Sequence, residues 1–151
     1  MTDAIATRHL TTVEALALLG SVHFGRVVYS RYALPTIRPV NHIVTDGTIV
    51  IATGLAPTLT CDRQVVAYEA DTIDHISHTG WCVIVTGAAA GITDPGGLVD
   101  HRLPAQVLPG PRGHLMRIEP DIVTGVGYID SRNGILQFHP PAGLRPARPG
   151  H

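Results

Sequence analysis

The segment LPTIRPVNHIVTDGTIVIATG, residues 34–54, decides how the rest of the chain is read. Val40, Ile43 and Val44 before Asp46-Gly47, with Ile49, Val50 and Ile51 after it, predict two β-strands joined by a tight turn. The Asp-Gly pair suits a type I′ hairpin, whose two central residues both need positive φ. Pro35 and Pro39 interrupt the first strand, and Arg38, Asn41 and His42 surround the second proline. A proline cannot donate to a sheet ladder, so it belongs at an edge, a bulge or a strand start. Two readings follow. The prolines protect an edge strand from aggregation, or they mark an unpaired backbone edge turned towards a ligand. In the second case the peptide edges of Arg38, Val40 and Asn41 suit a planar heterocycle with alternating donors and acceptors.

Outward from the hairpin, the pattern remains that of short strands. They are expected near Arg26–Ser30, Thr36–Thr45, Thr48–Thr53, Val65–Ala70, Trp81–Ile92 and His114–Ile129, the last broken at Pro120. Before them, TTVEALALLGSVHFG predicts one helix, with Val13, Leu16 and Ala17 sharing a face. Thr11 and Glu14 form a capping box there, and Gly20 is a natural stop. LAPTLTCDRQ leaves room for one or two helical turns, and TDPGGLVDHRLPAQVLPGPRG is a proline- and glycine-rich connection. Six strands with so few helices indicate a mainly β domain, a six-stranded antiparallel barrel. Residues 1–137 are read as one domain, and the proline-rich residues 138–151 as a flexible tail.

Composition narrows the function. The 151 residues are 44% hydrophobic and 15% charged, with a net charge of −1, so nothing draws the chain generally to nucleic acid or anionic membrane. No apolar run reaches the roughly 18 residues that span a bilayer, and MTDAIATRHL lacks the features of a secretion signal. A cytoplasmic protein is expected. All 11 basic residues are arginine, which excludes a lysine Schiff base and a P-loop lysine. Cys61 and Cys82 lack metal-type spacing and are read as buried free thiols.

Most chemical motifs are missing. His75 and His78 are three apart in DTIDHISHTGW, but that segment follows a strand and reads as a solvated loop rather than a metal site. There is no G-x-S-x-G elbow and no G-x-G-x-x-G. Aromatic residues are 5% and the arginines scattered, unlike a nucleic-acid module. The hairpin and its exit remain, where Thr53 and Gly54 offer a hydroxyl and backbone N–H groups to an anion.

The order GRVV…LPTIRPVNHIVTDGTIVIATG…VVAYEADTID…GWCVIVTGAAAGITD resembles the pyridoxamine 5′-phosphate oxidase-like family of FMN-binding split barrels, from about Thr11 to Gly125. The combination of P-x-x-x-P-V-N beside a D-G hairpin, an acidic strand and G-W-x-V-x-V-x-G-x-A carries the resemblance. It implies a homodimer of split β-barrels with flavin at the interface, acting on a small-molecule substrate. Arg38, Pro39, Val40 and Asn41 would line the isoalloxazine, and Thr53 and Gly54 would approach the phosphate. Trp81 would pack near the interface, its alternative being a core position.

Many members carry an arginine at the position of Ala52 and a lysine at that of Thr58. Losing both charged phosphate contacts weakens binding by about 2–4 kcal/mol. Arg63, the hydroxyl of Thr58 and the N-terminus of a helix starting near Pro57 would compensate in part. An oxidoreductase implies Arg38 or His42 as a partner for an anionic substrate or for the flavin ring. Other members of the broad group use deazaflavin F420 or haem, and for haem the candidate ligands here are His23, His42 and His114. A dimeric binding or regulatory protein without cofactor is the third reading.

Overall fold

Asp46 and Gly47 take φ values of 51° and 75°, the positive pair that a type I′ turn requires, and the hairpin they close lies inside a ring of strands. The computed structural model describes residues 4–52, 64–92 and 115–133. Its elements are β1 (Ile5–His9), α1 (Thr12–Gly20), β2 (Phe24–Arg31), β3 (Leu34–Thr45), β4 (Thr48–Ala52), β5 (Gln64–Ile73), β6 (Gly80–Gly91) and β7 (Leu115–Asp130). All pairings are antiparallel. The sheet order is β1-β7-β4-β3-β2-β5-β6, and β6 also pairs with β7. Six strands, β2 to β7, thus close a barrel as the sequence predicts, and β1 is an addition to it.

The split lies along β7. One edge of this strand pairs with β6. On the other, Leu115 to Ile118 pair with β4 and Val126 to Asp130 pair with β1. Between those stretches α1 fits against the barrel. The Leu10 N–H donates to the Gly125 carbonyl at 2.8 Å, and a Cβ on Gly125 would lie 2.9 Å from Leu10 and 3.2 Å from Ala15.

The capping box is present. Thr11 Oγ1 accepts from the Glu14 N–H at 3.2 Å, and Glu14 Oε1 accepts from the Thr11 N–H at 3.1 Å. The helix buries a different face from the expected one, however. Ala15, Leu18 and Leu19 are buried, and Val13 is 79% exposed. In a segment with apolar residues nearly all round, periodicity does not select the face; the small Gly125 opposite Ala15 does.

The expected break at Pro120 is also corrected, for β7 runs through it as one strand. The register shifts between Thr86 and Gly87, so that Gly87 faces Pro120 and Thr86 faces Ile122. Asp121 is the extra residue of a β-bulge, a position where a proline's missing donor is tolerated. The buried side of β7 accordingly changes from Met116 and Ile118 to Val123 and Gly125. Gly87 makes room, because a Cβ there would sit 1.9 Å from the Glu119 carbonyl oxygen.

The barrel interior is filled by Val27, Tyr29, Val40, Ile49, Ile51, Val66, Tyr68, Trp81, Val83, Val85 and Ile118, with α1 against one end. Among the described residues no helix is long and apolar enough to cross a membrane.

Candidate functional site

Strand β3 is flanked unequally. On one side Leu34 to Asn41 pair with β2; on the other only Asn41 to Thr45 pair with β4. Residues 34–40 therefore have no strand on the β4 side among the described residues. The His42 N–H donates to the His23 carbonyl at 2.9 Å, which sets the alternation of the ladder. Even-numbered residues of β3 direct their backbone groups to β2, so Arg38 and Val40 are paired there. Ile37 and Pro39 face the open edge instead. The free backbone edge expected at Arg38, Val40 and Asn41 is thus found at Ile37 and Pro39 instead, since Arg38 and Val40 pair with β2 and Asn41 pairs with Ala52 of β4. Pro39 removes the N–H that would point outwards, leaving its carbonyl.

Side chains follow the opposite faces of the same strand. Arg38, Val40 and His42 share the inner face, grading from an exposed Arg38 to a Val40 that is 6% exposed and a His42 that is fully buried. Arg38 makes no ion pair among the described residues. Asn41, half-buried, sits where pairing to β2 ends and pairing to β4 begins. Thr53, Gly54, Thr58 and Arg63 lie outside the described residues, as do Cys61 and His114; Ala52, the last residue of β4, is 9% exposed opposite Asn41. Trp81 is 5% exposed and belongs to the core, on the inner face of β6.

His42 does not face a ligand. Its Nε2 lies 2.8 Å from the Leu19 carbonyl oxygen, one of the last carbonyls of α1 that the helix itself leaves unsatisfied. A carbonyl can only accept, so Nε2 carries the proton and Nδ1 accepts from the Tyr68 hydroxyl. The two rings meet edge to face, 5.1 Å between centroids. Burial holds the imidazole below its ordinary pKa, and the charge of His23 adds to this. Burial likewise raises the Tyr68 phenol above its ordinary range, with a contribution from Glu69. Both groups are neutral. With both ring nitrogens occupied and the side chain enclosed, the haem-ligand and anion-binding roles considered for His42 are overturned. The sequence carried no local sign of this pair, whose members are 26 residues apart.

Gly25 makes the contact possible. A Cβ there would fall 2.5 Å from the Glu69 carbonyl oxygen and 2.7 Å from the Tyr68 hydroxyl, so the Tyr68 side chain passes β2 only where that strand lacks a side chain.

On the outer face next to Tyr68, Arg26 bridges two carboxylates, Glu69 at 3.3 Å and Asp71 at 3.6 Å. Burial, then the hydrogen bond and charge of Asp71, push the Glu69 carboxyl up to about 7 against the opposing pull of Arg26. The half-buried Cys82 is a free thiol, its Sγ 4.0 Å from Glu69 Oε1. Burial and the charges of Glu69 and Asp71 raise its pKa. His75 and His78 lie in the β5–β6 hairpin loop, where Asp74 Oδ1 accepts from the Ile76 and Ser77 N–H groups.

Residues 11–125 match the family described as pyridoxamine 5′-phosphate oxidase. The chain belongs to that family. The uncharacterized protein Rv0080 of Mycobacterium tuberculosis is 43% identical to this chain over 128 residues, 79% of this chain and 84% of its own. The FAD binding protein from Mycobacterium smegmatis has a similar structure, with a TM-score of 0.63 and 28% identity over 82% of this chain and 100% of that one. A Corynebacterium glutamicum protein named for the same oxidase superposes with a TM-score of 0.66 and 30% identity, over 85% of this chain and 96% of that one.

Proposed function

We propose that this chain is a flavin-binding oxidoreductase of the pyridoxamine 5′-phosphate oxidase family, holding FMN as a homodimer and acting on a small molecule. The observation that carries the proposal is the edge of β3 at Ile37 and Pro39, which no strand among the described residues covers, beside an exposed Arg38 that makes no ion pair among them. This edge offers an N–H of Ile37 and carbonyls of Ile37 and Pro39, a donor–acceptor pattern that fits the polar edge of an isoalloxazine. Arg38 offers the only permanent positive charge of β3 and suits the ring carbonyls or an anionic substrate. Asn41, at the junction of the two ladders, completes the ring side. Thr53, Gly54, Thr58 and Arg63, which follow β4 in sequence, are the residues proposed for the phosphate. When bound, the flavin supplies the electron or hydride transfer, and the protein positions it and shields it from water.

FAD is the second reading, favoured by two facts. The chain has Ala52 and Thr58 where many members of the family have basic residues, and a structure similar to it is that of an FAD-binding protein. A longer cofactor gains contacts beyond the flavin phosphate, so a weak site for that group matters less.

The homodimer draws support from apolar side chains on the outer face of the barrel. Ile37 is 64% exposed, Ile84 41% and Phe24 40%, and they flank the Arg26–Glu69 pair in the β3-β2-β5-β6 register. Exposed apolar clusters of this kind mark association surfaces.

One set of titrations tests the whole proposal. The purified protein is titrated with FMN, FAD and riboflavin, following flavin fluorescence, and its mass is read by sedimentation. Saturable quenching by FMN or FAD but not by riboflavin is expected, from a particle of about twice 16.0 kDa, with Arg63→Ala weakening FMN. Equal affinity for all three would remove the phosphate site. A Soret band in the purified protein, or a preference for F420, would replace the flavin reading.

A further inference from the structure

We infer that Tyr68 and His42 are positioning residues for the ligand edge of β3, acting through a buried relay that starts at the end of α1. The inference rests on the flavin proposal above and adds to it two residues that would not touch the cofactor.

The relay joins three segments. The Leu19 carbonyl of α1 accepts from His42 Nε2 at 2.8 Å, and His42 Nδ1 accepts the Tyr68 hydroxyl proton. The same hydroxyl lies 3.4 Å from the Val40 carbonyl oxygen. One proton cannot serve two acceptors fully, and Nδ1 is the nearer, so Val40 is held as a secondary partner. Tyr68 thus touches β3 on both sides of Asn41, at Val40 and at His42. Asn41 is where β3 exchanges one neighbouring strand for the other. From there back to Leu34 the strand is paired on one edge only among the described residues, which provide no second ladder of the kind that fixes a central strand. The relay supplies an anchor from the buried face at the point where the second ladder ends.

That anchor is coupled to the proposed site by the pleat. His42, Val40 and Arg38 follow one another on the same face of β3, about 13 Å from end to end at roughly 3.3 Å per residue. A rotation of β3 at His42 therefore moves the Pro39 carbonyl and the Arg38 side chain together. Tyr68→Phe removes the hydroxyl and keeps the ring, so it releases the anchor without opening a cavity.

The experiment compares FMN affinity in the full-length wild type, Tyr68→Phe and Ile118→Ala. Ile118 is a fully buried residue of β7, a strand that pairs with neither β3 nor β5, and its truncation destabilises the barrel without touching the relay. The inference expects Tyr68→Phe to weaken FMN at least tenfold, and Ile118→Ala to leave it within about twofold at a temperature where both remain folded. It also expects the ¹⁵N resonances of the His42 ring in the wild type to shift when FMN saturates the protein. If Tyr68→Phe binds like the wild type, or both variants weaken equally, the pair serves folding alone and the inference is overturned. If Tyr68→Phe does not fold, the His42 resonances decide, and ring nitrogens unmoved by saturating FMN overturn it. A wild type that quenches neither FMN nor FAD overturns the flavin proposal itself, a result distinct from tight binding indifferent to Tyr68.

Discussion

The Leu19 carbonyl accepts a hydrogen bond from His42 Nε2 at 2.8 Å, so a side chain of β3 closes the C-terminal end of α1. The bond requires a proton on Nε2, acceptance of the Tyr68 hydroxyl requires Nδ1 to be without one, and burial keeps the pKa of the neutral imidazole below its ordinary value of 6.5. The sign of the pH effect follows. Below pH 6.5 the unfolded chain takes up a proton that the folded one refuses, so stability falls as the solution is acidified through this window. His42→Gln, which can still donate an amide N–H to Leu19, should flatten that decline. At pH 7 it should cost about 1–3 kcal/mol, because the Tyr68 hydroxyl loses its nearer acceptor and keeps only the Val40 carbonyl at 3.4 Å. Urea unfolding at pH 5 and pH 7 measures both.

The turn between β2 and β3 carries Tyr32 and Ala33 at φ 50° and 62°. Both are left-handed conformations, which cost an ordinary L-residue roughly 1–2 kcal/mol. Tyr32 is 87% exposed, and its ring contacts the Arg31 guanidinium 5.5 Å away, a contact worth about 0.5–1 kcal/mol at an exposed site. Replacing Tyr32-Ala33 by Asn-Gly supplies the residues that such a turn prefers. The double variant should be more stable by about 1–3 kcal/mol after the lost ring contact is subtracted. Thermal melting with unchanged far-UV spectra checks it.

These two sites show where the sequence could be read and where it could not. Asp46-Gly47 announced its hairpin because the residues that favour positive φ were present; Tyr32-Ala33 adopts the same geometry without them and was not seen as a turn. The capping box at Thr11 and Glu14 was legible because both partners lie within one helical turn. β1 was missed because five residues with little alternation take their strand pairing from β7, more than 110 residues away. Pro39 correctly marked the strand edge. Which backbone groups face outwards depended on the ladder's phase, set by His42 and His23, and no local pattern encodes that. The Tyr68–His42 contact needs Gly25 as a gap between them, a relation among three strands. On the phosphate side, Thr53, Gly54, Thr58 and Arg63 lie outside the described residues and remain proposals.

Glu69 gives a second pH dependence of opposite sign. Its carboxyl is raised from 4.5 to about 7 by burial and by Asp71. Between those values the unfolded chain has lost the proton and the folded chain keeps it, so stability falls as pH rises through the window. At 1.36 kcal/mol per unit the full effect would be about 3 kcal/mol. The Glu69 side chain is 22% exposed, and solvent screening reduces this to about 1–2 kcal/mol. Glu69→Gln, which still accepts from Arg26, should stabilise the protein by that amount at pH 8 and by almost nothing at pH 4.5. Guanidinium unfolding at the two pH values is the check, and an equal effect at both would refute the assignment.

Gly25 and Gly91 make a matched pair for the last prediction. A Cβ on Gly25 would stand 2.5 Å from the Glu69 carbonyl oxygen and 2.7 Å from the Tyr68 hydroxyl, whereas a Cβ on Gly91 meets nothing within 4 Å. A backbone oxygen cannot step aside without disturbing the β2–β5 ladder, in which neighbouring Arg26 pairs with Glu69. Gly25→Ala should therefore cost about 3 kcal/mol, the upper range for overpacking. Gly91→Ala should be neutral or add a few tenths of a kcal/mol by restricting the unfolded chain. If the Tyr68 ring is what Gly25 accommodates, adding Tyr68→Ala to Gly25→Ala should cost less than the sum of the two single changes. The Glu69 carbonyl contact would survive, so relief is partial. Denaturant melts of the two singles and the double measure the coupling, and strict additivity would show that only the backbone contact requires the glycine.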